Sequence, residues 1–208
     1  EILPYLERLR DELRLPILER SHSVAEVARL ATSIVLLEAG RVMAAGPAAT
    51  VMADPAMAPV MGLREAGALI SATVAAHETD GLTRLASAGG PIWLPRVGAA
   101  PGAVLRLRIL AQDVMLANTR PEGISALNIL TATVEEIRLG DGPGAIVRLR
   151  MGDEALLARV TRRSVQALGL GTDLRVAGVA SQGVDLIDGE TGAGVARLDL
   201  SLVAGGFW

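Results

Sequence analysis

The sequence predicts an α+β protein in which a short mixed α/β segment precedes two small β-barrels. Half of the 208 residues are hydrophobic, so the chain can form a core, but it has only two Trp, one Tyr and one Phe. Helical and strand patterns alternate over roughly the first sixty residues. From about Leu69 the chain has short strands separated by glycine turns, a pattern typical of small barrels, and an internal repeat.

Composition excludes several classes of function. The chain has no cysteine, which removes disulfides, iron–sulfur clusters and thiolate nucleophiles. Every basic side chain is arginine, so a Walker A loop and a lysine Schiff base are excluded as well. The two histidines, His22 and His77, cannot form a three-histidine metal site, and we predict no metal. A net charge of −3 argues against nucleic acid as a partner.

The first predicted elements are two helices and a strand. Leucines at helical spacing among charged residues predict an amphipathic helix that ends at Pro16; they are Leu3, Leu6, Leu9 and Leu13. An apolar stretch over 15–18 predicts a short buried strand. Ser21 is expected to cap a second helix over 24–31. We find no apolar run of about 20 residues and no signal peptide, and therefore expect a soluble, intracellular chain.

A hairpin and a short helix complete this part. The β-branched, apolar segments 33–37 and 42–45 predict two strands, and a turn over 38–41 joins them. Residues 48–53 suit a short helix that ends at Asp54-Pro55. These elements form half of an α/β layer without its partner strands, so we expect them to expose apolar surface.

The second part of the chain contains a duplication. Four segments recur in the same order, and the paired ranges are 69–74 with 129–134, 82–85 with 146–149, 91–97 with 154–160, and 102–108 with 171–177. Residues 120–123 link the copies, and the glycine-rich segments 140–144 and 188–194 are predicted turns. A further strand is predicted over 195–203, and His77 is expected in a loop.

The segment 15–46 resembles the end of an ABC-transporter ATPase domain. The resemblance is carried by Leu15-Pro16-Ile17-Leu18, Ser21-His22-Ser23, Glu26, Ala31, Ile34, Leu36, Gly40-Arg41-Val42 and Gly46. It implies that His22 is the switch histidine, which contacts the γ-phosphate of ATP with Mg²⁺; the alternative is an ordinary surface histidine. The Walker A, signature and Walker B motifs are missing, so we expect no ATP hydrolysis by these residues alone.

The repeat region is similar to the accessory domain of molybdate-importer ATPase subunits. The similarity is carried by residues 106–116 and 125–130, and the second copy, to about Leu186, resembles a molybdenum-pterin-binding (Mop, TOBE-type) domain, an OB-like barrel. The implied domain ranges are 1–62 for the ATPase remnant, 66–120 and 123–187 for two OB-like repeats, and 188–208 for an unassigned tail.

The resemblance also implies an oxyanion site. A dianion such as molybdate or tungstate needs hydrogen-bond donors. The family's Ser-Ala-Arg-Asn motif reads Ser125-Ala126-Leu127-Asn128, so its arginine is absent, and its Thr-x-x-Ser pair is kept as Thr161 and Ser164. The family's lysine aligns with Ala180, followed by Ser181. Hydroxyls and amides bind a dianion less strongly without these cations, and the alternative is that all of these are ordinary turn and strand-end residues.

These resemblances imply the C-terminal portion of the ATP-binding subunit of a molybdate ABC importer, with an oxyanion-binding, regulatory and dimerisation domain. The implied partners are a second copy of the chain and the membrane permease, on the cytoplasmic face of the cell membrane. Two alternatives stay open: a stand-alone molybdate-binding module for storage or regulation, and an importer ATPase for sulfate, iron or sugar.

Overall fold

The computed structural model describes residues 5, 6, 9, 17–180 and 184–188. Tyr5, Leu6 and Leu9 are helical, as predicted, and the other residues of that first helix lie outside the described part. The same holds for Ser181, for the predicted turn beyond Asp188 and for the predicted strand over 195–203.

The first complete helix is α1 (Val24–Leu30), and two predictions before it are wrong. Ile17 and Leu18 are exposed and lie in no strand. The N-cap is Ser23, whose hydroxyl accepts the Glu26 amide, and not Ser21. Ser21 instead donates its hydroxyl to the Glu26 carboxylate, at 2.6 Å, and accepts the Ser23 amide. Ser21 therefore supports the cap from outside the helix.

The predicted hairpin is confirmed as β1 (Ser33–Glu38) and β2 (Arg41–Pro47). Ala39 and Gly40 both have positive φ, which is the geometry of the tight turns that match the twist of hairpin strands. The short helices α2 (Ala48–Met52) and α3 (Ala58–Met61) follow, the first as predicted. The hairpin exposes apolar side chains, as expected of a layer without partner strands; they are Val35, Leu37, Val42 and Met43.

The rest of the described chain is mostly antiparallel β-structure. The strands are β3 (Gly67–His77), β4 (Leu82–Ser87), β5 (Gly90–Pro95), β6 (Val104–Leu110), β7 (Val114–Ala117), β8 (Asn128–Leu139), β9 (Gly144–Met151), β10 (Glu154–Thr161), β11 (Arg175–Ala180) and β12 (Val184–Asp188). A 3₁₀ turn (Ala111–Asp113) precedes β7, and helix α4 (Arg162–Ala167) follows β10.

The strands form two five-stranded sheets with matching order. The first sheet runs β12-β6-β3-β4-β5 and the second β7-β11-β8-β9-β10. The two copies exchange one edge strand. Strand β7 follows β6 in the chain but pairs with β11 of the second sheet, and β12 follows β11 in the chain but pairs with β6 of the first sheet. The second sheet curls until its edge strands β10 and β7 touch. The α+β class is confirmed, while the predicted range 66–120 contributes four strands to the first sheet and one, β7, to the second.

The duplication is confirmed in detail by the strand registers. A β-bulge lies between Val74 and Ala76 in β3 and at the equivalent point, between Val134 and Glu136, in β8. The predicted pairing of the third strands is wrong by one residue, because the register matches Ile92 with Leu156, and both are fully buried. The fourth strands were predicted two residues out of register, because Leu105 corresponds to Val176. Burial of alternate side chains fixes the register of the third strands, whereas pairing with Ala72 and Ala132 fixes that of the fourth.

The two sheets share one hydrophobic core. Buried aliphatic side chains of both sheets belong to a single cluster; the largest include Ile70, Leu85, Leu107, Leu130, Leu149 and Leu156. At Gly89, in the β4–β5 turn, a Cβ atom would lie 3.1 Å from Leu130 Cβ and closer still to Met151 Sδ of the second sheet. The copies are therefore packed as one unit.

His77 ends strand β3, so the predicted loop position is wrong. Its Nε2 lies 3.0 Å from the Ala99 carbonyl, which can only accept, so Nε2 donates there. Its Nδ1 lies 2.9 Å from the Thr83 hydroxyl, which also accepts the Val97 amide. Thr83 is fully buried. His77 is thus a structural residue with both ring nitrogens hydrogen-bonded.

Arginines on the sheets hold the N-terminal part in place. Each of these side chains donates to a main-chain carbonyl of the segment before β3; the pairs are Arg106 with Ala31 (3.0 Å), Arg108 with Glu65 (2.8 Å), Arg148 with Ala53 (2.7 Å) and Arg159 with Leu63 (3.2 Å). Arg108, which is 4% exposed, also forms an ion pair with the Glu65 carboxylate at 2.8 Å. The N-terminal part is therefore docked on both sheets.

Candidate functional site

The predicted oxyanion motif forms the loop that leads into β8. Ser125 and Leu127 are exposed, while Ala126 packs against a small buried cluster that includes Ile129 and Val179. The Ser125 hydroxyl and amide have no hydrogen-bond partner among the described residues. Unpaired, exposed donors of this kind are available to an anion.

Asn128 has a different role from the residues before it. It is 8% exposed, its Oδ1 accepts the Trp93 amide at 2.7 Å, and its Nδ2 donates to the Trp93 carbonyl at 3.2 Å. The side-chain amide thus extends the free edge of β5 as another strand would, and joins the two sheets. Because both polar groups of the Asn128 side chain are used, the remaining donors of the motif belong to the exposed part of the loop.

Strand pairing brings this loop to the end of β11. Asn128 pairs with Ala180, so the predicted residues Ser125, Ala126, Asn128 and Ala180 lie at one end of the second sheet. Ala180 is buried and has no side-chain donor, and Ser181 follows it outside the described residues. The candidate site of one chain therefore consists of the loop donors and the main chain at the end of β11.

Thr161 and Ser164 lie at the opposite end of the same sheet. Thr161 pairs with Gly144, beside the C-terminal end of β8, whereas Asn128 is the first residue of that twelve-residue strand. At about 3.3 Å per residue, the two ends of β8 are far apart. Thr161 caps α4 by accepting the Ser164 amide, and the two hydroxyls are 2.8 Å apart. A single chain does not bring the two halves of the predicted site together.

His22 lies on the surface immediately before the N-cap of α1. It is exposed, and its Nε2 is 3.3 Å from the Arg20 guanidinium. A guanidinium can only donate, so Nε2 accepts this hydrogen bond. The C-cap of the helix that His22 precedes is Ala31, whose carbonyl is bound by Arg106 of β6. The predicted switch position is therefore connected to the first sheet through one short helix.

Sequence reasoning missed Arg120, which it placed only in the linker between the copies. Arg120 Nη1 donates to the Ile129 carbonyl at 3.1 Å, so the guanidinium lies against the first residues of β8. No spacing rule relates Arg120 to the motif, because the contact depends on how the linker folds back over the strand.

The described residues contain no cluster of acidic or histidine side chains able to hold a metal ion. In the described part of the chain, no helix has the length and apolar character to cross a bilayer.

Comparison with known proteins gives relatives over most of the chain. Residues 124–177, from the loop before β8 into β11, match the TOBE domain family. The chain is 45% identical over 196 residues to a molybdenum import ATP-binding protein of Mesorhizobium japonicum, covering 94% of this chain and 53% of that protein. It is 49% identical over 171 residues to the protein of the same name from Rhizobium meliloti, covering 82% and 48%. The chain thus spans about half the length of the curated relatives it matches.

A solved structure is also similar. It is the cytoplasmic molybdate-binding protein ModG with molybdate bound, and it is 25% identical with a TM-score of 0.48. The match covers 54% of this chain and 89% of that one.

Proposed function

From the relationship of this chain to the molybdenum import ATP-binding proteins, with a TOBE domain in its second copy, we propose that it is the C-terminal part of the ATP-binding subunit of a molybdate importer. In this role the two sheets bind an oxyanion such as molybdate or tungstate and regulate transport. The supporting observation is the exposed loop before β8, because Ser125 there offers donors without partners, and a dianion needs donors.

We further propose that two copies of the chain complete the oxyanion site. The loop before β8 and the Thr161–Ser164 pair lie at opposite ends of one sheet, so a site that uses both must take them from two molecules. Oxyanion binding would then favour the dimer, and the two events are thermodynamically linked.

ATP, Mg²⁺ and the permease belong to the proposed parent subunit. We propose that His22, which is exposed, is the residue that contacts the γ-phosphate in the parent subunit. The 208 residues contain no lysine, so they do not fit the phosphate-binding loop of such an ATPase, and we derive no ATP-dependent step from them. We propose that this stretch alone does not hydrolyse ATP and that the parent subunit works at the cytoplasmic face of the membrane.

Mixed variants test the two-copy site. Ser125→Ala and Thr161→Val each remove one half of it, so we expect each variant alone to bind molybdate at least tenfold more weakly than the wild-type chain. An equal mixture of the two should recover strong binding at about a quarter of the wild-type stoichiometry. With random pairing about half of the dimers are mixed, and one of the two sites in each mixed dimer has both halves intact. Titration calorimetry measures both quantities. No recovery on mixing would contradict the two-copy arrangement.

A further inference from the structure

The loop before β8 has no cationic side chain of its own. Its residues from Ile124 to Asn128 are uncharged, and Leu127, which is 54% exposed, faces solvent without a polar group. Neutral donors alone bind an oxyanion weakly in water, because water competes for every hydrogen bond and no charge attraction offsets that competition. A positive charge near this loop would therefore decide whether the site holds a dianion.

Arg120 brings a positive charge to this loop. Its Nη1 lies 3.1 Å from the carbonyl of Ile129, the residue after Asn128. Ile129 pairs with Val179, and Asn128 pairs with Ala180, so the guanidinium lies at the same end of the second sheet as the loop and the end of β11.

The Arg120 guanidinium keeps most of its donors. A guanidinium has five N–H groups, and the bond to Ile129 uses one of them. The other four have no partner among the described residues, and the side chain is exposed. The Ile129 bond limits the freedom of a long side chain, so less entropy is lost when an anion binds.

Two other arginines of the second copy are less well placed. The Arg162 side chain donates to the Gly140 carbonyl, and Arg163 follows it in α4, at the opposite end of the sheet from Asn128. Glu122, exposed in the same linker as Arg120, opposes an anion with its negative charge. Of the charged groups in this linker, Arg120 is thus the one that favours a bound dianion.

We propose that Arg120 is an anion-binding residue that supplies the positive charge of the oxyanion site from outside the loop motif. This inference rests on the proposed function, because it assigns a residue to the same site. A planar guanidinium with parallel N–H groups binds two oxygens of a tetrahedral oxyanion at once. Arg120 together with the Ser125 hydroxyl and amide then gives a donor set that combines charge with direction.

The test is calorimetric titration of the 208-residue chain with sodium molybdate. The variant Arg120→Gln should bind at least tenfold more weakly, and its affinity should depend less on ionic strength, because one charge contact is lost. The matched control is Arg96→Gln, because Arg96 is exposed at the end of β5 and its side chain has no hydrogen bond among the described residues. The control should bind as the wild-type chain does. Adding Leu127→Arg to the Arg120→Gln variant places a charge inside the loop, and this double variant should regain affinity for molybdate.

The outcomes separate the two claims. If the wild-type chain and Arg120→Gln bind molybdate equally, the assignment of Arg120 is wrong and the proposed function stands. If the wild-type chain gives no heat at millimolar molybdate, the proposed oxyanion function fails and the assignment fails with it. Thermal unfolding shows whether each variant is folded. If Arg120→Gln and the Arg96→Gln control melt at the same temperature, a loss of affinity in Arg120→Gln is due to the missing charge and not to unfolding.

Discussion

Arg106 on β6 donates both terminal guanidinium nitrogens to the main-chain carbonyl of Ala31, each at 3.0 Å. Ala31 is the C-cap of α1, where helix carbonyls lack intrahelical partners and a positive charge is favourable. His22 stands just before the other end of this helix. The Arg106–Ala31 contact therefore joins the predicted switch segment to the first sheet.

We expect Arg106→Met to loosen α1 without unfolding the sheets. Methionine keeps an apolar stem of similar length but cannot donate to Ala31. A hydrogen bond from a charged group is worth about 1.5 kcal/mol or somewhat more, so amide exchange at Val27 and Ala31 should speed up by roughly tenfold. Hydrogen–deuterium exchange measures this change. Arg84→Met is the control, because Arg84 forms a half-exposed ion pair with Glu78. In this control variant, the amides of α1 should exchange at the wild-type rate.

Loss of the Asn128 amide should weaken the junction of the two sheets. Asn128→Leu leaves the Trp93 amide and carbonyl without their partner, at an estimated cost of about 2 kcal/mol of unfolding free energy. Urea denaturation provides the measurement. The control Asn118→Leu removes one exposed bond to the Leu168 carbonyl and should change stability by less than about 0.5 kcal/mol. Equal effects of the two changes would show that Asn128 does not carry the junction.

A methyl group at Gly67 should be poorly tolerated. A Cβ atom there would lie 2.5 Å from the Ile109 carbonyl oxygen, which is main chain of a central strand and cannot turn aside. We expect Gly67→Ala to lose about 1–3 kcal/mol of stability. Gly140→Ala is the control, because the nearest atom to its added carbon is 3.4 Å away. Thermal unfolding of both variants decides the matter, and a stable Gly67→Ala variant would contradict the close approach of β3 and β6.

Thr161 should contribute to stability as a helix cap, independently of any anion. Thr161→Ala removes the acceptor of the Ser164 amide at the start of α4 and should cost about 1 kcal/mol. Thr172→Ala, at an exposed turn position, is the control and should cost less than half of that. The comparison is made by urea denaturation without molybdate. A silent Thr161→Ala variant would mean that α4 does not depend on its cap.

Local sequence patterns were sufficient to predict the hairpin, helices α1 and α2, and the order of the duplicated strands. Each depends on neighbours in sequence: the Ala39-Gly40 turn, the helical spacing, and the alternation that buries Leu85 and Leu149 alike. The one-residue slip of the third strands arose because Arg96 was matched with Arg159 without regard to the face that each side chain occupies. The two-residue slip of the fourth strands, where Arg106 was matched with Arg175, keeps each side chain on the same face, so only the strand pairing reveals it.

The features that escaped prediction depend on contacts distant in sequence. The exchange of β7 and β12 between the sheets leaves no local pattern, because a short apolar strand looks the same whichever edge it joins. The motif residues of the candidate site were named from resemblance, but the use of the Asn128 amide by Trp93 and the position of Arg120 against Ile129 required the tertiary structure. The prediction of a buried strand over 15–18 was wrong at Ile17 and Leu18, because both side chains are exposed.

The most direct test of this account is calorimetric titration of the wild-type chain with molybdate, with sulfate and phosphate as competing ligands. The account predicts saturable heat with molybdate, a fall in affinity as ionic strength rises, and weaker binding of the other two anions. A chain that gives no heat with molybdate at millimolar concentration, while its far-ultraviolet circular dichroism shows a folded β-protein, would contradict the account.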